Sequence, residues 1–124
     1  MRWLVDGMNV IGSRPDGWWR DRRGAQCRLA EELAVFAART GDDVAVVFDG
    51  RPHDCGVSGV SVSFAGWARN AADREIARRV QINCASQAAC VVTSDAELAS
   101  CVRAAGARVE GSGAFRRRLD RVGS

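Results

Sequence analysis

The sequence predicts an α/β fold in one domain over residues 1–124: three layers, with a mainly parallel sheet flanked by helices. Three observations carry this. Apolar runs of strand length alternate with stretches whose apolar residues recur at helical spacing. The run Val44 to Phe48 is apolar throughout, as in a strand covered on both faces. Glycine punctuates the runs, at Asp6-Gly7, Gly41, Asp49-Gly50 and Gly106.

Each element has its own reason. Trp3 to Val5 is an apolar run closed by Asp6-Gly7, a strand and then a turn. Residues 12–24 hold Pro15, two glycines besides Gly12 and many charges, and read as a loop. From Ala25 to Arg39, Leu29, Leu33, Phe36 and Ala37 form one stripe, while Arg28, Glu31, Glu32 and Arg39 lie off it, so this is an amphipathic helix with Gly41 as its C-cap. Val44 to Phe48 is the second strand. Val57 to Phe64 alternates Val with Ser and Gly, the pattern of a more exposed or edge strand. Asn70 to Asn83 is a helix with Ile76, Ala77 and Val80 inward. Cys90 to Thr93 is a short strand, Ser94 opens a helix through Arg103, and Ala107 to Val109 is a last short strand. Phe115, Leu119 and Val122 line one side of a terminal helix whose other faces carry Arg116, Arg117, Arg118 and Arg121, read as a solvated face. Such alternation of strands and helices implies parallel pairing.

Composition excludes several classes. The chain has 124 residues, 47% hydrophobic and 27% charged, an ordinary globular profile with room for one core. No apolar run approaches the ~18 residues of a membrane span. The opening MRWLVDGMNV places Asp and Asn inside what would be a signal core, so a cytoplasmic location is the default. All 18 basic residues are arginine, and the net charge of +3 permits a nucleic-acid partner without requiring one. The five cysteines (27, 55, 84, 90 and 101) include no Cys-x-x-Cys pair, which argues against a zinc ribbon. Their odd number argues against a disulfide framework. Cys90 and Cys101 read as core residues, and His53-Asp54-Cys55 as a turn after Arg51-Pro52 rather than a metal site.

Four aspartates stand where elements meet. Asp6, Asp49 and Asp95 follow strands, and Asp73 opens a helix. Each has a local structural reading. Asp-Gly is a common turn pair. Asn70 could cap the helix that carries Asp73, leaving Asp73 as a first-turn acid at the positive end of the dipole. Ser94 and Glu97 fit a capping box that makes Asp95 another first-turn acid. Yet Asp73 shares a face with Ile76, Ala77 and Val80, and a carboxylate on an inward stripe needs a partner. In a parallel sheet all four acids reach one edge, where ligands of such sheets bind. Converging carboxylates repel unless a divalent cation sits among them, and oxygen-only donors suit Mg²⁺ or Mn²⁺.

These residues resemble the NYN branch of the PIN-like nuclease superfamily, and within it the YacP-like proteins. The likeness rests on Leu4-Val5-Asp6-Gly7-Met8-Asn9-Val10-Ile11-Gly12, Val47-Phe48-Asp49-Gly50, Ala72-Asp73-Arg74-Glu75-Ile76 and Val92-Thr93-Ser94-Asp95, and it covers nearly the whole chain. The resemblance implies a PIN-like fold and endoribonuclease activity, with some members acting in association with ribosomes. It makes Asp6, Asp73 and Asp95 metal-binding carboxylates, Asp49 a supporting acid, and Asn9 the residue that orients Asp6 or reaches the metal through water. Ser94 supports this set, and Glu75 could contribute from the helix.

The expected chemistry is metal-assisted hydrolysis of RNA phosphodiester bonds, leaving a 5′-phosphate and a 3′-hydroxyl. A two-histidine route within one chain is excluded, because His53 is the only histidine. RNA is the expected partner, with the ribosome a further one. Arg14, Arg20, Arg22 and Arg23 follow Asp6, and Arg69 precedes Asp73, so they are candidates to hold the backbone. Trp18 and Trp19 are candidates to stack on bases. The competing reading is a catalytically silent RNA- or ribosome-binding module of the same fold. A small-molecule phosphatase is disfavoured because Asp6 is followed by Gly7 and Met8, with no Asp-x-Asp. A DNA flap nuclease is disfavoured for want of an arch segment.

Overall fold

At Asp6-Gly7 the chain does not turn. In the computed structural model, which describes residues 1–83 and 89–123, β1 (Arg2–Asp6) runs directly into a short helix, α1 (Gly7–Ile11). The stretch read as loop also holds a 3-10 turn at Trp18–Arg20 and the start of α2 (Arg22–Thr40). Asp21 explains the early start, because its side chain accepts from Gly24 N at 3.0 Å and caps the helix. Gly41, with φ 75°, ends α2 as expected. There follow β2 (Asp43–Phe48), β3 (Ser61–Phe64), α3 (Ala71–Asn83), β4 (Ala89–Val92), α4 (Ala96–Ala104), β5 (Arg108–Glu110) and α5 (Ser112–Gly123).

The five strands lie in the order β3-β2-β1-β4-β5, and every pair is parallel. β3 is an edge strand, in keeping with its alternating pattern. Alternate residues of each strand feed two cores. Trp3, Val5, Val44, Val46, Phe48, Cys90 and Val92 pack under α1, α2 and α5, against Leu29, Leu33, Phe36, Phe115 and Leu119. Leu4, Val47 and Val91 pack under α3 and α4, against Ile76, Val80, Leu98 and Val102. The chain goes from β1 outward to β2 and β3, then crosses back to β4 on the other side of β1. The strand order therefore reverses between β1 and β4, and a crevice at their C-terminal ends is the ligand-binding position of such sheets.

Gly7 lets α1 lie against β2. A Cβ there would fall 2.4 Å from two Phe48 ring carbons and 2.9 Å from a Val46 methyl carbon. The glycine answers a packing demand, whereas Gly50, at φ 107°, needs its backbone freedom.

Two cysteine expectations are corrected. Cys27 and Cys55 are joined in a disulfide, because the segment after β2 folds back onto α2 and brings their Cα atoms to 5.0 Å. Cys101 is exposed, because α4 buries Leu98, Ala99 and Val102 and turns position 101 outward. Cys90 is buried as expected, and Cys84 lies outside the described residues. Arg116 is no solvated side chain: it is mostly buried and paired with Glu32 and Asp120, and Arg118 pairs with Glu110. Among the described residues no helix is long and apolar enough to cross a membrane.

Candidate metal centre

Strand parity aims the acids. Asp6 follows Leu4 by two residues and Asp49 follows Val47 by two, so both face the layer of α3 and α4. Asp73 stands in the first turn of α3 and Asp95 at the start of α4, both in that layer. The four acids thus reach one side of one sheet edge by three different routes.

Asp6 sits deepest, with 4% of its surface exposed. Although it occupies the N-cap position of α1, its side chain makes no capping bond, so the turn reading of this residue fails. Its Oδ2 accepts instead from Thr93 Oγ1 at 3.1 Å, and it shares a hydrogen bond with Asp73. Burial first, then the Asp73 carboxylate, push its pKa up to about 7; Asp49 adds to this and the Thr93 hydroxyl opposes it. Burial also raises Asp73, followed by the Asp95 carboxylate, while the bond with Asp6 lowers it. No guanidinium is among the principal influences on either acid. A buried carboxylate surrounded by carboxylates and not neutralised by arginine suits a divalent cation with oxygen ligands. Asp6 and Asp73 are the pair in direct contact. Among the described residues no three of the acids bring one oxygen each within 4.8 Å of one another.

The other acids carry structural duties as well. Asp49 Oδ1 accepts from Ala72 N at 3.2 Å and fastens the first turn of α3 to the end of β2. Asn70 has φ 57°, and its carbonyl takes Arg74 N, so Asp49 supplies the side-chain acceptor expected of Asn70. Asp95 is itself the N-cap of α4, accepting from Leu98 N at 2.9 Å, in place of the Ser94–Glu97 capping box. Ser94 lies outside the helix. Its hydroxyl accepts from Ser112 N at 2.9 Å. Glu75 is held away from the cluster by Arg78 and Arg79, whose hydrogen bonds pull its pKa down to about 2.

Asn9 knots the edge together. Its Oδ1 accepts from Ser94 N at 2.7 Å and from Ser112 Oγ at 2.9 Å. Ser112 is 2% exposed, so its hydroxyl has little access to water. Asn9→Ala should cost about 1 kcal/mol of stability, because Ser94 N is open to water and Ser112 Oγ keeps Ser94 Oγ as a partner at 2.5 Å. Urea denaturation at constant pH reads this, and an unchanged midpoint would contradict the assignment.

The basic and aromatic candidates separate. Arg22 lies over two rings, 5.5 Å from Trp18 and 5.6 Å from Trp67. It borders a cleft of about 190 Å³ with Arg23, Arg51, Asp49, His53 and Trp67. Trp67 is 63% exposed and Trp19 53%. Trp18 packs partly against the core, its ring 5.9 Å from that of Trp19. Arg14 pairs with Asp120 and turns toward α5. Arg20 and Arg69 are exposed.

The sequence pattern assigns no site role to Thr93, Gln26, Arg51 or Trp67, and reads Gly111-Ser112-Gly113 as a flexible cap, whereas Ser112 is buried at the start of α5. Gln26 had a signal: it stands at positions i, i+3 and i+7 with Leu29 and Leu33, a polar residue on an apolar stripe. Thr93 was visible in the Val-Thr-Ser-Asp motif. Trp67 gave none.

The profile of the YacP-like NYN domain matches residues 3–124. The chain belongs to the YacP-like NYN family. That NYN domain carries a nuclease-like fold, and its family is associated with nuclease activity. Two solved structures are similar across 99% of the chain. A point mutant of Rae1 (YacP) from Bacillus subtilis is 27% identical with a TM-score of 0.82, the match covering 76% of that protein. Unsubstituted Rae1 (YacP) from the same organism is 25% identical with a TM-score of 0.79, covering 75%. No curated protein matches the NYN chain significantly.

Proposed function

We propose that the protein is a divalent-metal-dependent endoribonuclease in which Asp6, Asp73 and Asp95 hold Mg²⁺ or Mn²⁺ and Asp49 supports them. One observation carries this reading: a buried Asp6, in contact with Asp73, with burial and neighbouring carboxylates rather than arginines setting its charge, at the reversal point of a parallel sheet. The ion supplies Lewis-acid activation of water and charge compensation at the scissile phosphate. The chain does the rest. Thr93 holds Asp6 Oδ2 in place, and Thr93 Oγ1 also accepts Asp95 N at 3.1 Å, which ties two of the acids to one side chain. Asn9 fixes the loop between β4 and α4. Arg22, Arg23 and Arg51 border the acidic edge and grip the RNA backbone, while Trp67 and Trp19 offer faces to unpaired bases. The ribosome enters as a partner only through the family resemblance.

The test is cleavage of structured and unstructured RNA with Mn²⁺, Mg²⁺ or EDTA, beside Asp73→Asn. Cleavage should need the ion and fall at least about a hundredfold in the variant. Cleavage surviving both EDTA and the substitution removes the mechanism. Tight RNA binding without cleavage in any metal supports the silent module instead.

A further inference from the structure

A second cluster of chemically capable side chains lies off the carboxylate edge. Cys27 stands on α2; His53 and Cys55 stand on the segment between β2 and β3. Among the described residues they are the one group of three His, Cys, Asp or Glu side chains whose donor atoms all lie within 4.8 Å of one another. His53 Nδ1 is 3.9 Å from Cys27 Sγ and 4.0 Å from Cys55 Sγ.

The histidine's tautomer follows from its other neighbour. Gln26 is 5% exposed, and its Nε2 faces two acceptors, the Asp49 carbonyl oxygen at 3.3 Å and Met8 Sδ at 3.4 Å. Its Oε1 is therefore the atom turned to His53, 2.6 Å from Nε2. An amide oxygen only accepts, so Nε2 carries the ring proton and Nδ1 keeps its lone pair. The ring also packs on Phe64, with centroids 4.9 Å apart. The lone pair thus faces two sulfurs, neither of which has a proton to give while they are bonded to each other. A histidine whose far nitrogen donates to a fixed acceptor is the arrangement found around bound zinc.

We propose that in the reduced protein Cys27, His53 and Cys55 bind one thiophilic divalent ion such as Zn²⁺, the disulfide being the metal-free, oxidised form of the same site. Two thiolates and an imidazole select Zn²⁺ over the Mg²⁺ or Mn²⁺ suited to the carboxylates. A tetrahedral ion with ordinary zinc bond lengths puts nitrogen and sulfur about 3.6 Å apart, and two sulfurs about 3.8 Å apart. His53 thus moves by a few tenths of an ångström, and the sulfurs separate once the bond opens. Three protein ligands leave a fourth position to water. The sequence hides the site because Cys27 and Cys55 are 28 residues apart. Through Gln26 the site lies one side chain from the backbone that carries Asp49.

The test uses the whole chain and Co²⁺ as a spectroscopic probe. A phosphine opens the disulfide: it gives two electrons and takes oxygen from water, and each sulfur gains a proton. Ion binding then displaces both thiol protons. The reduced protein, titrated anaerobically, should develop a thiolate-to-cobalt charge-transfer band that saturates at one equivalent and is lost on adding Zn²⁺. The oxidised protein should show none. The C27S/C55S double variant, with the other three cysteines intact, should lose the band, and His53→Gln should weaken binding at least about tenfold and shift the visible bands. Carboxylate-bound Co²⁺ gives no such band, so the result is independent of the acidic edge. No band after reduction overturns the proposal, as does an equal band in the double variant. If the double variant fails to fold by circular dichroism, His53→Gln decides, and an unchanged spectrum and affinity overturn it.

Discussion

Asp6→Asn will make the metal-free protein more stable and abolish the proposed cleavage. The sign follows from the carboxyl's elevated pKa. In the folded protein it titrates at about 7, against 3.8 for an unperturbed side chain. A carboxyl raised in this way leaves stability intact below the unfolded value and erodes it as pH climbs toward the folded one. For Asp6 the loss runs between about pH 4 and pH 7, and it is on the order of a few kcal/mol at neutrality. Asparagine keeps the shape, can still accept from Thr93 and can donate to Asp73, but carries no charge to desolvate. Thermal melts of both proteins at pH 5 and pH 8 without metal should diverge at the higher pH, with the variant above. Adding Mg²⁺ or Mn²⁺ should raise the melting point of the unsubstituted protein at pH 8 more than at pH 5, because the ion competes with the proton for the same oxygens. Equal melts at pH 8, or a variant that still cleaves, would show that the buried charge is not held for an ion.

Gly7→Ala should cost about 3 kcal/mol or more, a large share of the ~5–15 kcal/mol that holds a domain together. The added methyl would meet the Phe48 ring at 2.4 Å, and Phe48 is wholly buried and packed against Phe64, ring centroids 5.5 Å apart. The ring has nowhere cheap to go, so α1 must lift and carry Asn9 with it. Chemical denaturation gives the stability, and cleavage should fall in parallel. A variant within 0.5 kcal/mol of the parent, the spread usual for surface changes, would mean that α1 is free to move from β2.

Local pattern revealed the layers and concealed the joints. Val44 to Phe48 and the Leu29-Leu33-Phe36 stripe announced a covered strand and its helix, because each repeats one environment over many residues. α1 escaped notice because five residues hold too little periodicity to outweigh an Asp-Gly pair. The approach of the acids to one edge was legible, since strand ends show in the pattern and parallel order brings them together, but the structure pairs Asp6 with Asp73 and, among the described residues, brings no three of their oxygens within 4.8 Å. Their individual duties were not legible. Whether Asp95 or Ser94 caps α4, or whether Asp49 reaches Ala72 N, depends on angles between elements that no local spacing encodes. The Cys27–Cys55 approach likewise depends on how the segment after β2 folds back, which composition and an odd cysteine count do not report.

The knot at Asn9 spans 85 positions to Ser94 and 103 to Ser112. In a growing polypeptide, residues 6, 73 and 95 are all made before residue 112. Contacts over such separations form late, after the loop between them has closed. Ser94 N can reach Asn9 without the terminal helix, but the Ser112 bonds form only when the helix bearing Phe115 docks, so any truncated product lacking that helix carries the acidic residues with the clasp half made.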